Sequence, residues 1–377
     1  MLTGNNRILL GKILLLLVIL IVGGLTVLGC AGYGAAPKGW AGGTIDNGTL
    51  FLGSMEGKLV AVNMADGSCQ WSEPLKMPKA TGGFGCAPTS TSVAIYGNPA
   101  VGGEFVYIGG YNGKIYAFNS SSVKEEPRWV YPREDYLEPI IGGPVVAQGK
   151  VFFGSSDGKL YALNAETGNK EWGPFETGGK IWSTPAISGD TLYIGSFDKK
   201  LYAISVIDGS KKWEFETEGT IVSTPLVYNN TVYVGSFDRY LYAIDAADGS
   251  LKWKFLADNW FWARPVAHNN TIYAGCLDGK VYALDAASGD KVADFDLGSP
   301  VSSSPVLVGN TIIIASEEGK VYSVDTNNNQ KSELKNLEEK VYAPLCTSEG
   351  IVYIHTEEDA LYAVDAQTGA IRELNIK

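Results

Sequence analysis

Histidine and cysteine motifs are nearly absent from this sequence. Its 377 residues include two histidines, His268 and His355, which lie far apart, and none of its five cysteines belongs to a Cys-x-x-Cys pair. Zinc and c-type haem sites therefore have no sequence signature here. The chain also lacks a phosphate-binding loop and a Ser/His/Asp set. We predict that the protein is not an enzyme and holds neither a metal nor another cofactor.

Positive charge is also in deficit. The chain has 30 Lys and Arg against 41 Asp and Glu, which gives a formal net charge of -11. A negative surface repels the backbone of nucleic acids and anionic lipid headgroups. We therefore exclude nucleic acid as a partner and expect the protein to bind other proteins.

An apolar run near the N-terminus has the features of a secretion signal. Residues 13–28 are apolar, follow two basic residues, and lead into VLGC, which ends at Cys30. VLGC resembles a bacterial lipobox, in which the chain is cut before the cysteine and the sulfur is diacylated. The resemblance implies a signal peptide (1–29), then a lipidated cysteine with a short linker (30–38). The alternative is an uncleaved anchor, although the run is short of the ~20 residues that span a membrane.

Both alternatives place the remaining chain outside the cytoplasm. Cleavage would remove Arg7 and Lys12 and leave a formal charge of about -13. Ala31 follows the cysteine and resembles the residue found there in lipoproteins sorted to the outer membrane. We expect an anchor in the outer membrane if the cell has two membranes, and on the outer face of the plasma membrane otherwise.

A repeat of about 40 residues runs through residues 39–377. Each unit contains a version of GKLYAL, and the spacings between successive units are 56, 45, 41, 40, 40, 40 and 40 residues. Such a period is typical of repeat arrays and propellers. The second apolar position of each version is Val60, Tyr116, Tyr161, Tyr202, Tyr242, Tyr282, Tyr322 or Tyr362.

Each unit reads as four short strands. In the fourth unit the predicted strands are 181–187, 191–196, 201–206 and 211–217, separated by turn residues. We therefore predict an all-β protein, an eight-bladed β-propeller of four-stranded antiparallel blades. Both terminal blades are complete, so we expect side-chain packing between blades one and eight to close the ring of a monomeric propeller.

Tryptophans recur on the fourth strand of the units. They stand about eleven residues after the repeat tyrosine and are expected to dock between neighbouring blades, where a large flat side chain buries well. Ala293, Glu333 and Glu373 occupy this position in blades six to eight, where we expect poorer packing. The docking tryptophans are Trp71, Trp129, Trp172, Trp213 and Trp253.

The repeat resembles that of a known family. LYALNAETGNKEW, residues 160–172, is similar to the repeat of PQQ-type, quinoprotein-dehydrogenase-like propellers. With the lipobox and eight units, the chain resembles most the BamB lipoproteins, scaffolds of outer-membrane β-barrel assembly. The resemblance implies a lipid-anchored protein-binding scaffold in the cell envelope, whose partners are membrane-embedded or membrane-proximal. The alternative is a quinone- or carbohydrate-binding propeller, with a divergent quinoprotein oxidoreductase as one form of it. The vicinal Cys-Cys pair typical of those enzymes is missing.

The stretch NWFWARP, residues 259–265, departs from the repeat. Trp260 and Arg264 have no counterpart of their type in the other units, and aromatic and arginine side chains are enriched in binding hot spots. We predict Trp260, Arg264 and the intervening Phe261 as partner-binding residues. The alternative for Arg264 is local: it pairs with an acid in the channel or stacks on Trp260.

An aromatic residue often stands three before the proline of the first strand. We interpret these residues as inter-blade core, each packed over a small residue of the next blade. The alternative is a collar at the mouth of the channel. They are Trp40, Tyr96, Trp182, Trp262 and Tyr342.

Two cysteines flank an insertion between blades one and two. Cys69 and Cys86 are 17 residues apart in a compartment that permits disulfides. We predict that they pair and pin the segment 74–92.

Overall fold

The computed structural model describes residues 39–75, 93–121 and 126–376, which form β-strands joined by turns. None of these segments forms a helix long and apolar enough to span a membrane. The strands form eight four-stranded antiparallel sheets, and each sheet uses four strands that are consecutive in the chain. The predicted eight-bladed all-β propeller is confirmed.

The first four blades contain the first sixteen strands. Their bounds are β1 Gly43–Asp46, β2 Thr49–Gly53, β3 Lys58–Asn63 and β4 Cys69–Pro74 in blade one; β5 Ala100–Gly102, β6 Phe105–Gly109, β7 Ile115–Asn119 and β8 Trp129–Tyr131 in blade two; β9 Val145–Ala147, β10 Lys150–Gly154, β11 Lys159–Asn164 and β12 Lys170–Glu176 in blade three; β13 Ala186–Ser188, β14 Thr191–Gly195, β15 Lys200–Ser205 and β16 Lys211–Glu216 in blade four.

The last four blades repeat this plan. Their strands are β17 Leu226–Tyr228, β18 Thr231–Gly235, β19 Tyr240–Asp245 and β20 Leu251–Leu256 in blade five; β21 Val266–His268, β22 Thr271–Gly275, β23 Lys280–Asp285 and β24 Lys291–Asp296 in blade six; β25 Val306–Val308, β26 Thr311–Ala315, β27 Lys320–Asp325 and β28 Gln330–Asn336 in blade seven; β29 Cys346–Ser348, β30 Ile351–His355, β31 Leu361–Asp365 and β32 Ile371–Leu374 in blade eight.

The first strand of each blade is shorter than predicted. In blade four the predicted strand 181–187 is paired only over Ala186–Ser188, and residues 181–185 are extended but irregular. Ladder pairing begins only after the proline, which has no N–H to donate. The unpaired half of this segment is the part that reaches the mouth of the channel.

The core lies between blades. The buried apolar residues described form eight clusters, and each cluster joins two neighbouring blades. The second and third strands are almost wholly buried, as in β18 and β19, because both faces of a central strand meet another blade. The sequence therefore shows apolar runs in these strands and polar residues in the fourth strand, which lies at the rim.

Blades one and eight close the ring by packing and hydrogen bonds. Strand β1 contacts β29, and the buried clusters continue across this junction. The imidazole of His355 lies between the carbonyl of Ala41 and the carboxylate of Asp359, with both contacts at 2.9 Å. The backbone N–H of Met55 donates to the same carboxylate at 2.8 Å. Neither terminal blade borrows a strand from the other in the described part of the chain.

An aspartate and a tyrosine of the repeat stabilise the turn between the second and third strands. In blade five, Asp238 accepts the backbone N–H of Tyr240 at 2.9 Å and the hydroxyl of Tyr242 at 2.8 Å. Burial and this carboxylate raise the pKa of Tyr242 above its usual value. The recurrence of Asp four residues before Tyr therefore has a structural role. The same pair forms between Tyr161 and Asp157, Tyr202 and Asp198, and Tyr282 and Asp278.

The outer-strand tryptophans lie between neighbouring blades. The indole N–H of Trp253 donates to the carbonyl of Ala286 in the next blade at 3.0 Å, and the hydroxyl of Tyr233 donates to the same oxygen at 2.9 Å. The indole also covers Gly289, whose φ of 78° suits the turn and where a Cβ would lie 2.6 Å from the ring. The equivalent indole bonds join Trp129 to Ala165, Trp172 to Val206 and Trp213 to Ala246. Trp71 is buried, but its N–H has no partner in the described chain.

The fourth strands of blades seven and eight pair in a different register. In blade four, Ala203 pairs with Trp213 next to a bulge, whereas in blade eight Ala363 pairs with Arg372 and the bulge is missing. The predicted counterparts of the tryptophan, Glu333 and Glu373, are therefore one residue out of position. Arg372 instead donates to the carbonyl of Met64 in blade one, at 3.4 Å.

Candidate functional site

The segments before the short first strands converge on the propeller axis. Along each segment, residues alternate between a buried position and one that faces a central cavity of about 500 Å³. In blade four Ile181 is fully buried, whereas Trp182 and Thr184 line the cavity. The alternation follows the two-residue period of an extended chain. All eight blades contribute residues to the lining of this channel.

The predicted aromatic residues form a collar around the mouth of the channel. Trp40 meets Tyr96 edge-on with ring centroids 4.6 Å apart, and Tyr342 lies 6.0 Å from Trp40 on its other side. Trp182 and Trp262 are half-buried and line the same cavity. The structure therefore places all five aromatics at the channel and not over small residues inside the inter-blade core.

Phe261 lies in the core, which corrects its prediction as a partner-binding residue. Its side chain is 1% exposed and packs among buried residues of blades five and six. Its ring meets Tyr282 edge-on at 6.1 Å, and the backbone of Gly235 lies against its Cβ. The equivalent positions in blades two to five, seven and eight hold isoleucine or valine side chains, such as Ile221 and Val301, that are also fully buried, and blade one has Gly39 there.

Trp260 is part of a three-ring stack at the junction of blades five and six. It lies parallel to Phe237 with centroids 4.3 Å apart and an interplanar angle of 11°. Phe237 also stacks on Trp262, at 5.8 Å and 28°. All three side chains are half-buried, so the stack leaves aromatic surface exposed. A second phenylalanine, Phe197, meets Trp182 edge-on, with centroids 4.6 Å apart and an interplanar angle of 64°.

Sequence reasoning did not single out Phe197 and Phe237. They occupy the second residue after the second strand, where the other blades have unlike side chains. The available signal was that phenylalanine stands at this turn position only in blades four and five, each beside a channel tryptophan. The other residues at this position are Met55, Tyr111, Ser156, Leu277, Glu317 and Glu357.

Arg264 projects into the channel without a carboxylate partner. It is the one charged residue of the described chain that lines the cavity, and no ion pair or cation–π contact joins it to the described residues. Its backbone N–H donates to the hydroxyl of Ser304 in blade seven at 3.1 Å. The guanidinium keeps contact with solvent through the mouth. Arg264 is exposed by surface area, but the channel walls partly desolvate the guanidinium, and this desolvation lowers the pKa of Arg264 from its usual value.

Neither local alternative for Arg264 holds among the described residues, because it stacks on no ring and meets no acid. Carboxylates of blades seven and eight interact with other groups. Burial raises the pKa of Glu317, against the opposing effects of the Ser302 hydroxyl and the Lys340 charge. The ammonium of Lys340 also lies 3.9 Å from Glu357.

Hydroxyl and amide groups surround Arg264 at the same depth in the channel. In blades two and four, Asn98 and Thr184 each accept a backbone N–H from the preceding blade at 2.8 Å through a side-chain oxygen. Ser304 accepts the N–H of Arg264 in the same way. Each side chain keeps a free donor, because an amide has two further N–H groups and a hydroxyl has its own proton. Thr224 lines the same level in blade five.

The cysteines and histidines in the described part of the chain do not form a site. Cys69 has a free thiol that packs between blades one and eight. Its predicted partner Cys86 lies outside the described residues, so the bridge stays a prediction. Cys276 is buried with a free thiol, as is expected of a structural cysteine. The described residues contain no group of three or more His, Cys, Asp or Glu side chains that could hold a metal. Cys30 lies outside the described residues.

The family follows from the match of the whole repeat region. The family described as "Outer membrane protein assembly factor BamB" matches the chain over residues 39–174 and 175–373. The chain belongs to the BamB family. No curated protein matches this BamB-family sequence.

Two solved structures share the fold of this BamB-family chain. BamB from Moraxella catarrhalis is 18% identical, with a TM-score of 0.66, 88% of this chain covered and 93% of that chain. The crystal structure of the computationally designed Ika8 protein is 13% identical, with a TM-score of 0.71, 90% of this chain covered and 96% of that chain. At such identities the likeness concerns the fold and carries no information about ligands.

Proposed function

We propose that this chain is a non-catalytic scaffold that binds proteins of the outer-membrane protein assembly machinery. The family match, which extends across residues 39–373, is the observation that carries the proposal. Propellers offer a rigid surface built from many loops, and such surfaces suit protein binding. Function still depends on a site, so the proposal needs a surface with binding chemistry.

The channel mouth at blades five and six is the proposed contact surface. The Trp260–Phe237 stack presents aromatic area that is half-buried in the free protein. Arg264 lies in the same mouth with no ion pair among the described residues. Aromatic and arginine side chains contribute most to many protein interfaces, and burial of half-exposed rings by a partner supplies binding energy.

Capture of envelope proteins tests this surface. The intact lipoprotein, purified from detergent-solubilised membranes, should retain assembly partners, whereas Trp260→Ala and Arg264→Gln should retain less. Leu256→Ala is the matched control, because Leu256 is 48% exposed on the outer strand of blade five, away from the channel. Equal loss in all three variants, or in none, would contradict the proposed surface.

A lipid on Cys30 is proposed to hold the propeller close to the membrane. The linker 31–38 spans at most ~28 Å when fully extended. The partners should therefore be membrane-embedded or membrane-proximal. Cys30→Ser should leave a larger precursor, or release the protein from membranes, when processing and fractionation are followed on immunoblots. Normal processing and membrane retention of that variant would refute the anchor.

A further inference from the structure

The channel combines an apolar collar with a deeper ring of hydrogen-bond donors. Trp182 and Thr184, two residues apart on one extended segment, represent these two levels. The separation of the levels is about 7 Å, the length of two extended residues. The collar level carries the five aromatics with Ile141, Val222 and one serine, Ser302, whereas the donor level carries Arg264 and the free donors of its neighbours.

The donor level is built to receive a negative charge. Asn98, Thr184 and Ser304 direct oxygen atoms at backbone N–H groups of the preceding blades, at 2.8, 2.8 and 3.1 Å. Their remaining N–H and O–H groups have no acceptor in the described chain. Because carboxylates and other oxyanions only accept hydrogen bonds, unused donors at the level of a guanidinium suit such a group. Gly42, Gly143 and Pro344 add no side-chain donor at this level.

The positive charge of Arg264 indicates that the ligand is an anion and not a neutral molecule. Arg264 is exposed to the solvent of the channel but has no counter-ion among the described residues, so an anion that enters the channel can form a charge-assisted hydrogen bond with the guanidinium. The equivalent residues in the other blades are uncharged, so one positive charge stands at this level.

The collar selects the body of the ligand. Aromatic rings at the mouth give an apolar or aromatic group a surface on which to pack, directly above the donor level. A cavity of about 500 Å³ accommodates a small organic molecule or the last residue of a peptide. An inorganic anion would use the donors and leave the collar bare.

We infer that the channel binds an organic carboxylate, with the carboxylate on Arg264 and Ser304 and an aromatic or aliphatic body against the collar. Two sources share this chemistry: a free carboxylic acid and the C-terminal residue of a peptide. The site goes beyond the proposed scaffold role, because a free acid would bind whether or not assembly partners do.

Ligand-observed NMR titrations of the purified full-length protein test the site. The probes are 3-phenylpropionate, its neutral amide, the tripeptide Gly-Gly-Phe and the C-terminal amide of that tripeptide. We expect the acids to bind with a dissociation constant of about 1 mM, a value usual for ligands of this size. Each amide should bind at least about tenfold more weakly, because it lacks the charge that pairs with Arg264. If 3-phenylpropionate binds more tightly than Gly-Gly-Phe, the ligand is a free carboxylic acid. If the tripeptide binds more tightly, the ligand is the C-terminal residue of a peptide.

Variants of the channel separate charge from shape. Arg264→Gln should weaken phenylpropionate at least about tenfold, Ser304→Ala by a smaller factor, and Arg264→Lys should retain part of the affinity. Arg133→Gln is the control, because Arg133 is an exposed arginine outside the channel lining. Equal binding of acid and amide, unchanged binding by Arg264→Gln, or no binding of any probe would overturn the assignment. Partner capture that fails while phenylpropionate still binds would refute the scaffold role alone.

Discussion

Replacement of Phe261 by alanine should destabilise the propeller more than replacement of either tryptophan beside it. Phe261 is 1% exposed and packs between blades five and six, where Leu226, Tyr233 and Tyr282 belong to the same cluster. Loss of a fully buried phenylalanine removes about 2–3 kcal/mol of transfer free energy. The cavity left behind adds about 1–2 kcal/mol, since neighbouring blades cannot collapse into it. The expected cost is about 4 kcal/mol.

Replacement of Trp260 or Trp262 by alanine should lower the unfolding free energy by less than Phe261→Ala does. Trp262 is half-buried and already meets the channel, so its removal forfeits part of its burial and one stacking contact with Phe237. We expect Trp262→Ala to cost about 1–2 kcal/mol, and Trp260→Ala a similar amount. The order reverses what the aromatic template indicated, namely that Trp262 is the core residue.

Urea denaturation followed by far-ultraviolet circular dichroism measures these differences. Phe261→Leu is the control variant, because leucine keeps most of the apolar volume and should cost about 1 kcal/mol. The slope of the unfolding free energy with urea should stay unchanged if the native state is the same. If Trp262→Ala proved as destabilising as Phe261→Ala, the assignment of Trp262 to the channel and Phe261 to the core would be wrong.

Three further predictions concern the blades. Trp253→Phe removes the indole hydrogen bond to the next blade and should reduce the unfolding free energy by about 1 kcal/mol. Trp71→Phe should reduce it by less, because the Trp71 N–H has no partner in the described chain. Gly289→Ala should lower the unfolding free energy by more than about 2 kcal/mol, because φ is 78° and the new Cβ would clash with the indole of Trp253. Gly309→Ala should lower it by about 1 kcal/mol, because φ is 58° but the space around the new Cβ is open. Equal losses in the two variants would refute the clash at Gly289. Burial raises the pKa of Tyr107 to about 12, whereas the hydroxyl of a tyrosine in the unfolded chain ionises near pH ~10. The stabilising contribution of Tyr107 to the unfolding free energy is therefore complete below pH ~10 and is lost as the pH rises towards 12. The urea midpoint should therefore fall over this range, and should fall less in Tyr107→Phe.

The blade architecture was predictable because its determinants are local and repeated. Asp238 and Tyr242 are four residues apart in one blade. The contact of the outer-strand tryptophan with a turn glycine of the next blade recurs at four blade junctions. Each unit meets a neighbour like itself, so a regular period implies a regular contact. The prediction that Glu373 occupies the tryptophan position of blade eight was wrong. The fourth strand of that blade lacks the bulge, so Arg372 and not Glu373 pairs with Ala363.

The channel depended on the tertiary structure. A two-residue alternation places Phe261 and Trp262 on opposite faces, but it does not say which face meets the neighbouring blade and which meets the axis. Which face meets the axis depends on the path of the segment that precedes the first strand, and this segment is irregular up to the proline. The sequence identified Arg264 as unusual by comparison with its seven counterparts. Only the assembled ring decided that uncharged residues surround it, because each blade contributes one residue to that level and the eight meet only when the ring closes.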